Sequence, residues 1–390
     1  MTRPSTKRLS VAKIQSMLVR RLRIGREVSR VELARQLNLA PSTVGLYVDG
    51  LIADGYLREG CKAKRASGRP PTILELNPQA GRFIGIDFEA QTLRAIAVDF
   101  SQTTLDEREY AILATDGVDE VLAKIEQAIR EIGGKGRRLL GVGIAVPGVV
   151  DPKRGIGLHY RHIRDWCDVP LLQWIAERVR RPVYVENNIR AMALAEQWFG
   201  QGRRLENFLC LGIRSGIGAG VVVDRRLLGG AQNLAGEIGG WRCHNGNTLE
   251  AEASVAAVLS RLGEQARAGG ATSLPVKHGR VALADVLQAA RDGDALTLDV
   301  LQQASVAVGA AIAQFSLLLN PERVIVAGPL SELGDIFLQP IRDAAAEFLS
   351  LPFETMPTIV ASQLGAYAGA IGAAALAVHE WRPVLDPTER

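Results

Sequence analysis

The chain has 390 residues, 47% of them apolar and 23% charged. That is the composition of an ordinary soluble globular protein with a length prior of two or three domains. No apolar run approaches a membrane span, the stretch 365–378 being broken up by small residues, and the basic N-terminus lacks the apolar core and cleavage site of a signal peptide. Cys61, Cys167, Cys210 and Cys243 lie far apart with no CxxC pair, which points to a reducing, cytoplasmic setting with neither a disulfide frame nor a cysteine zinc site. The net charge of +4 hides an asymmetry: residues 1–72 carry 15 Lys+Arg against 5 Asp+Glu, or +10, and the remainder carries −6. A basic block ahead of a mildly acidic body suggests a nucleic-acid module joined to something else.

In chain order, Ile14, Met17, Leu18 and Leu22 recur at helical spacing from Val11 to Leu22. Ser29 precedes a short helix at Val31–Leu37, with Glu32 three residues after it in the capping-box pattern. Asn38-Leu39-Ala40 makes a tight turn, and Pro41-Ser42-Thr43 opens a third helix that Gly55 ends. This spacing resembles a winged helix-turn-helix, in which the third helix enters the major groove. Ser42, Thr43 and Tyr47 are then expected to face DNA, with Val44 and Val48 inward and Gly45 on the open side. Residues 58–69 read as a hairpin wing whose Lys62, Lys64, Arg65 and Arg69 neutralise phosphates. The prolines at 70 and 71 make a semi-rigid joint, and a strand at 72–78 leads to a domain boundary near Pro78.

Beyond it, Phe83–Asp87 and Leu93–Asp99 read as a hairpin, Val118–Ile132 as an amphipathic helix, and Leu139–Val150 as a buried strand ending at Pro147-Gly148. Residues 155–168 look loop-like but are dense in His, Arg, Tyr and Asp; a helix at Leu171–Val179 follows. A strand at Val183–Val185 then runs into Glu186, Asn187 and Asn188 before a helix at Arg190–Phe199. Polar side chains at a strand end beside a helix N-terminus are where open α/β folds place ligand sites. A second unit begins with a strand at Phe208–Ile213, a glycine-rich turn at Ser215–Gly220 and a returning strand at Val221–Val223. Helices at 249–262, 282–291, 297–319, 336–348 and 365–379 and strands at 324–329 and 358–362 complete it. Two similar units suggest two lobes around a cleft.

Taken together, Gly68-Arg-Pro-Pro71, Gly141-Val-Gly-Ile-Ala-Val-Pro-Gly148, Trp166 with Val169-Pro-Leu171, Glu186-Asn187, Gly216-Ile-Gly-Ala-Gly220, Ala235-Gly-Glu-Ile-Gly239, Leu249-Glu250 and Ala327-Gly328 resemble the ROK family over nearly the whole chain. That family comprises sugar kinases of the actin/hexokinase-like ATPase fold and the repressors derived from them. The resemblance implies an α/β fold: an N-terminal winged helix-turn-helix (1–78) followed by a two-lobed ROK body (79–200 and 201–390), the C-terminal helix returning to the first lobe. Three departures touch catalysis. Where active relatives follow the first Asp with glycines and a Thr, Asp87 is followed by Phe88-Glu-Ala-Gln91; Phe and Ala block close approach to phosphate and Glu89 repels it. Asn188 stands where the family's general base lies, and an amide takes no proton near neutral pH. Arg214 replaces the first glycine of the second phosphate turn. Gly240 replaces a zinc-binding His, and the cysteine segment shrinks to one Cys243 beside one His244. We therefore expect no catalytic residues, no metal and no cofactor, with Trp241 replacing the zinc as a packing anchor.

The resemblance carries ligand-binding roles to Asn187, Asn188, Glu237 and Glu250, with the alternative that Glu250 caps its helix. The cluster His159, Tyr160, Arg161, His162 and Arg164 borders the same cleft, and His162 is included among the candidate ligand residues. The expectation is a cytoplasmic repressor that binds double-stranded operator DNA, senses a sugar or sugar derivative, and forms a homodimer or homotetramer away from any membrane. A bifunctional sugar kinase and a ligand-independent DNA-binding protein with a vestigial cleft are the alternatives.

Overall fold

The computed structural model describes residues 11–24, 28–62, 72–133, 136–278, 280–349 and 356–383; the side chains of Ile24, Cys61 and Lys62 are outside that description. The wing cations Lys64, Arg65 and Arg69, and the Lys62 side chain, therefore lie outside the described residues.

The head consists of α1 (Val11–Ile24), β1 (Val28–Ser29), α2 (Arg30–Leu37), α3 (Pro41–Ala53), β2 (Leu57–Lys62) and β3 (Thr72–Leu76). Ser29 caps α2 by the expected reciprocal pair: the Glu32 amide donates to the Ser29 hydroxyl at 3.3 Å, and the Ser29 amide donates to the Glu32 carboxylate at 2.9 Å. Asn38 ends the helix in the left-handed conformation, φ 52°. The three strands form an antiparallel sheet in the order β1-β3-β2, which is the winged-helix arrangement. In α3, Val44, Val48 and Leu51 are fully buried. Tyr47 departs from expectation: it is half-buried and packs against the head core. At 100° per residue it lies only 60° round the helix from Val44, on the flank of the buried face. Leu46, some 160–200° from Val44 and Val48, is the outward side chain, 69% exposed.

The first lobe is built on β4 (Arg82–Phe88), β5 (Thr92–Asp99), β6 (Thr104–Ala111), α4 (Val118–Glu131), β7 (Leu139–Val146), β8 (Val149–Asp151), β9 (Ile156–His159), β10 (Cys167–Val169), α5 (Leu171–Val179), β11 (Val183–Asn187) and α6 (Asn188–Trp198). The second holds β12 (Phe208–Ile213), β13 (Ile217–Val223), β14 (Arg226–Leu227), α7 (Leu249–Ala253), α8 (Val255–Arg267), α9 (Leu283–Arg291), α10 (Ala295–Leu319), β15 (Arg323–Ala327), α11 (Asp335–Leu349) and β16 (Thr358–Ala361), after which α12 (Ala368–Glu380) returns to the first. Their main sheets repeat one plan. The first runs β6-β5-β4-β7-β11 and the second β14-β13-β12-β15-β16, each an antiparallel meander followed by two parallel strands. The repeat puts each lobe's first hairpin turn, after β4 and after β12, at the strand ends that face the cleft.

Several elements differ from the sequence reading. β6 was not anticipated: its burial follows no clean alternation, because it is an outer strand with charged residues on both faces. The stretch 155–168 is not a plain loop, since β9 and β10 pair antiparallel with β8 in a small sheet. The expected strand 139–150 breaks at Pro147-Gly148 into β7 and β8. The expected helix 249–262 breaks at Ser254, whose extended backbone ends α7 and whose side chain caps α8. α10, at 25 residues, is long and apolar enough to cross a membrane, contrary to the expectation of no such run. More than half of its most apolar window is buried, against α11 and the rest of the second lobe's core, as in a core helix.

Two packing features reach beyond a single lobe. The C-terminal helix α12 lies on β4 and β7 of the first sheet. It comes so close that a β-carbon on Gly85 or Gly143 would run into the backbone of Ala370 or Ala373. The head is not loosely tethered: one apolar cluster contains Leu18, Val44 and Leu57 of the head together with Phe83, Phe100, Ala374 and Trp381 of the body. Trp381 packs against Tyr56 and Phe100 at ring distances of 4.8 and 5.0 Å. The Arg23 guanidinium donates to the Val378 carbonyl at the C-terminal end of α12, 2.6 Å away, and lies 5.0 Å from the Phe100 ring. Burial brings its pKa down to about 9.

Candidate ligand cleft

Two cavities lie between the lobes and share His162, Arg214 and Ser215 as a wall. The smaller, about 180 Å³, brings together all five residues proposed from the sequence to hold a ligand: Asn187, Asn188, Glu237, Glu250 and His162. The larger, about 730 Å³, runs from Asp87 and Glu89 across to Leu259, Leu283 and Leu287.

In the smaller cavity the five residues are not equivalent. Asn187 is the N-cap of α6: its Oδ1 accepts from the amides of Ile189 and Arg190 at 2.9 and 3.2 Å, and its Nδ2 donates to the Gly148 carbonyl at 2.9 Å. Both lone pairs and one N–H are therefore engaged in holding the strand end. Asn188, one residue on, is buried yet its amide makes no hydrogen bond among the described residues, so its donor and acceptor face the cavity. Glu237 likewise has no hydrogen-bond partner among the described residues. It is exposed to the cleft, and protein on either side pushes its pKa up by desolvation, with the Glu250 charge adding to the shift. Glu250 is tied down on both oxygens. One accepts from the Ile217 amide at 3.1 Å and the other pairs with Arg161 at 2.8 Å. It does not cap its helix, because Thr248 does, accepting from the Ala251 amide at 3.2 Å. The Arg161 Nε also donates to the His162 Nε2 at 3.1 Å, and burial followed by the Arg161 charge lowers the His162 pKa. Of the cluster at 159–164, His159, Tyr160, Arg161 and His162 line the cavity; Arg164 does not, and pairs with Asp165.

The wall between the cavities is the least expected feature. Arg214 is buried, with its Nη1 3.1 Å from one Asp87 oxygen and its Nη2 2.9 Å from the other and 3.0 Å from Glu89. Ser215 donates to the second Glu89 oxygen at 3.1 Å, and the Tyr160 hydroxyl lies 3.0 Å from the Ser215 oxygen. The residues that look separately hostile to phosphate, Glu89 and Arg214, are partners in one buried cluster that crosses from lobe to lobe. Burial opposes every charge in it. Arg214 nonetheless stays firmly protonated against its two carboxylates, and Arg214 with the Ser215 hydrogen bonds holds Glu89 below the usual range. Asp87 is pushed up by burial despite Arg214. It sits against Gly369 in the first turn of α12, where a β-carbon would overlap its carboxylate. A nucleotide phosphate at this corner would meet two carboxylates and a cation already paired with both, so the residues present do not fit one.

The zinc segment does not fit a metal either. Cys243 packs against the second lobe's core, while His244 stacks on Phe348 at 5.8 Å. Trp241 donates to Gln314 at 2.9 Å and meets Phe315 edge-on at 4.9 Å, which anchors the segment to α10.

Sequence reasoning missed the Arg161–Glu250 clamp, the Arg214 cluster, and the buried Glu186–Arg190 pair, whose closest approach is 3.3 Å. The last had a sequence signal, opposite charges four apart on a helix start. The other two join residues 89 and 127 positions apart and had none.

The profile of the ROK family matches residues 83–380. A xylose repressor of Caldicellulosiruptor bescii is 28% identical over 349 residues, covering 84% of this chain and 87% of the repressor. A glucokinase of Thermotoga maritima is 31% identical over 314 residues, covering 76% of this chain and 96% of the kinase. Among solved structures, a ROK family transcriptional regulator described as a homologue of the Escherichia coli MLC protein superposes with a TM-score of 0.79 at 27% identity, covering 95% of this chain and 96% of that one.

Proposed function

Because the chain belongs to the ROK family, we propose that it is a DNA-binding transcriptional repressor whose body binds a sugar or sugar derivative without phosphorylating it. The kinase relative takes in 76% of the chain and the regulator structure 95%, so the regulator shares the head as well as the body. The observation that carries the non-catalytic reading is the phosphate corner. Asn188 offers no base, and Arg214 closes the corner by pairing with Asp87 and Glu89. What supports ligand binding is the opposite condition next door: Glu237 and Asn188, without hydrogen-bond partners among the described residues, line a cavity of about 180 Å³, which suits the paired hydrogen bonds of sugar hydroxyls.

Coupling to DNA follows from the packing. α6 begins at Asn188 in the cleft and packs along α12, whose far end is gripped by Arg23 and Trp381 of the head junction. A ligand that binds one lobe arrangement more tightly shifts that arrangement's population and, through this contact, the head. Two heads on a two-fold axis would match a palindromic operator.

The test has two measurements on the full chain: ATP turnover across a sugar panel, and thermal shift with the same sugars for wild type and Glu237→Ala. The reading expects no turnover, and a sugar-dependent shift that Glu237→Ala abolishes. Turnover with any sugar would establish a kinase, and no shift with any sugar would leave a DNA-binding protein with an idle cleft.

A further inference from the structure

In a winged helix-turn-helix head, the face of the third helix turned away from the core is the one that meets base edges. In α3 that face is Ser42, Gly45, Leu46 and Asp49, at the helical spacing i, i+3, i+4, i+7. None of these four is an Arg, Lys, Asn or Gln, the side chains that make bidentate contacts to guanine or adenine. Asp49 would repel DNA, but Arg30 pairs with it at 2.6 Å and also reaches Glu59 at 3.1 Å, which offsets the acid and fixes it at the far end of the face. Ser42 carries a hydroxyl, which bonds any base. Gly45 has nothing within 4 Å of where a β-carbon would stand, so the backbone there is open to close approach. The centre of the face is Leu46, 69% exposed and directed away from Val44 and Val48, which are fully buried.

An isolated exposed leucine elsewhere would mean nothing. At the middle of a groove-facing helix, beside an open glycine, it offers apolar surface and no hydrogen bond. The one base feature of the major groove that rewards this is the thymine 5-methyl group.

We propose that Leu46 reads a thymine methyl in the major groove, so that each half-site contains an A·T pair recognised by apolar contact and not by hydrogen bonding. The inference rests on the DNA-binding reading above, and the experiment separates the two. Selection from random duplexes with the full-length protein first defines the preferred site. Each thymine in it is then replaced singly by deoxyuridine, which removes only the methyl, and affinity is measured for wild type and Leu46→Ala. For wild type, one position per half-site should lose about fourfold, the effect of leaving one methyl-sized group unburied. With Leu46→Ala that position should lose nothing, while the dependence on salt, which counts phosphate contacts, stays as in wild type. Leu46→Arg should move the preference at that position from thymine to guanine. A site in which no thymine responds to deoxyuridine, or a response that persists in Leu46→Ala, overturns the assignment of Leu46. Failure to enrich any sequence overturns the DNA-binding reading itself, and this inference with it.

Discussion

The two cavities of the inter-lobe cleft share a wall at Arg214 and have opposite chemistry. On one side of Arg214, Asn188 and Glu237 have no side-chain hydrogen-bond partner among the described residues. On the other, Asp87, Glu89, Arg214, Ser215 and Tyr160 bond to one another. The first half has the open groups that a ligand must satisfy; in the second the charged groups are paired with one another. In the non-catalytic reading proposed above, the corner is closed to phosphate less by what is missing than by what fills the gap. Losing a base would have left an open corner, whereas the arginine occupies it and joins the lobes.

This contrast can be broken most directly at Arg214. Arg214→Ala leaves two buried carboxylates without a cation, and removing one partner of such a cluster costs about 3–5 kcal/mol. Denaturant unfolding should show it. The pH dependence carries a sign. Asp87 is already pushed up by burial with Arg214 in place and rises further without it, so the folded variant binds more protons than its unfolded chain, and the loss should shrink as pH falls from 8 to 5. The next effect is on binding. Glu237→Ala should weaken the best sugar in a panel by 1.5–3 kcal/mol, roughly tenfold or more in Kd by calorimetry, as for a hydrogen bond to a charged group. Glu237→Gln should slightly stabilise the unliganded protein at neutral pH, by under about 1 kcal/mol because solvent screens so exposed a group. Its folded pKa is raised, so the wild-type carboxyl costs stability only once pH has climbed past the ordinary glutamate value toward the folded one. The gain should therefore vanish in acid below that ordinary value. The smallest effect sharpens the comparison by its absence. Asn188→Asp should confer no measurable ATP-dependent phosphorylation, since a restored base still faces a closed phosphate corner; robust turnover from that single change would show that Arg214 yields to nucleotide.

Much of the fold was legible in local pattern. The α2 capping box, the proline-initiated α3 and the buried runs of β4, β7 and β12 follow from residues near one another in the chain, and the structure repeats them. The misses share a cause. β6 has charged residues on both faces because it edges a sheet, and β9 and β10 are only four and three residues long, too short for a period to show, and pair in a small three-stranded sheet. Tyr47 is expected from the sequence to face DNA; helix geometry puts its ring on the flank of the core, and Leu46 takes the outward position. The head was read as a module on a semi-rigid joint, yet Trp381 and Arg23 merge it with the body in one cluster.

By itself the sequence determined the identity of the groups: an amide in place of a base, an arginine in place of a glycine, two glutamates in the second lobe. Residue type and local periodicity are properties of short stretches, so a linear reading reaches them. Tertiary structure decided which of those groups are free. Whether Glu250 is a ligand contact or a strut depends on Arg161 lying 2.8 Å away. Whether Glu89 repels phosphate or pairs with its own cation depends on Arg214, 125 residues distant. The chemistry a charged side chain has left to offer is set by what it already bonds to, and only the folded lobes bring those partners together.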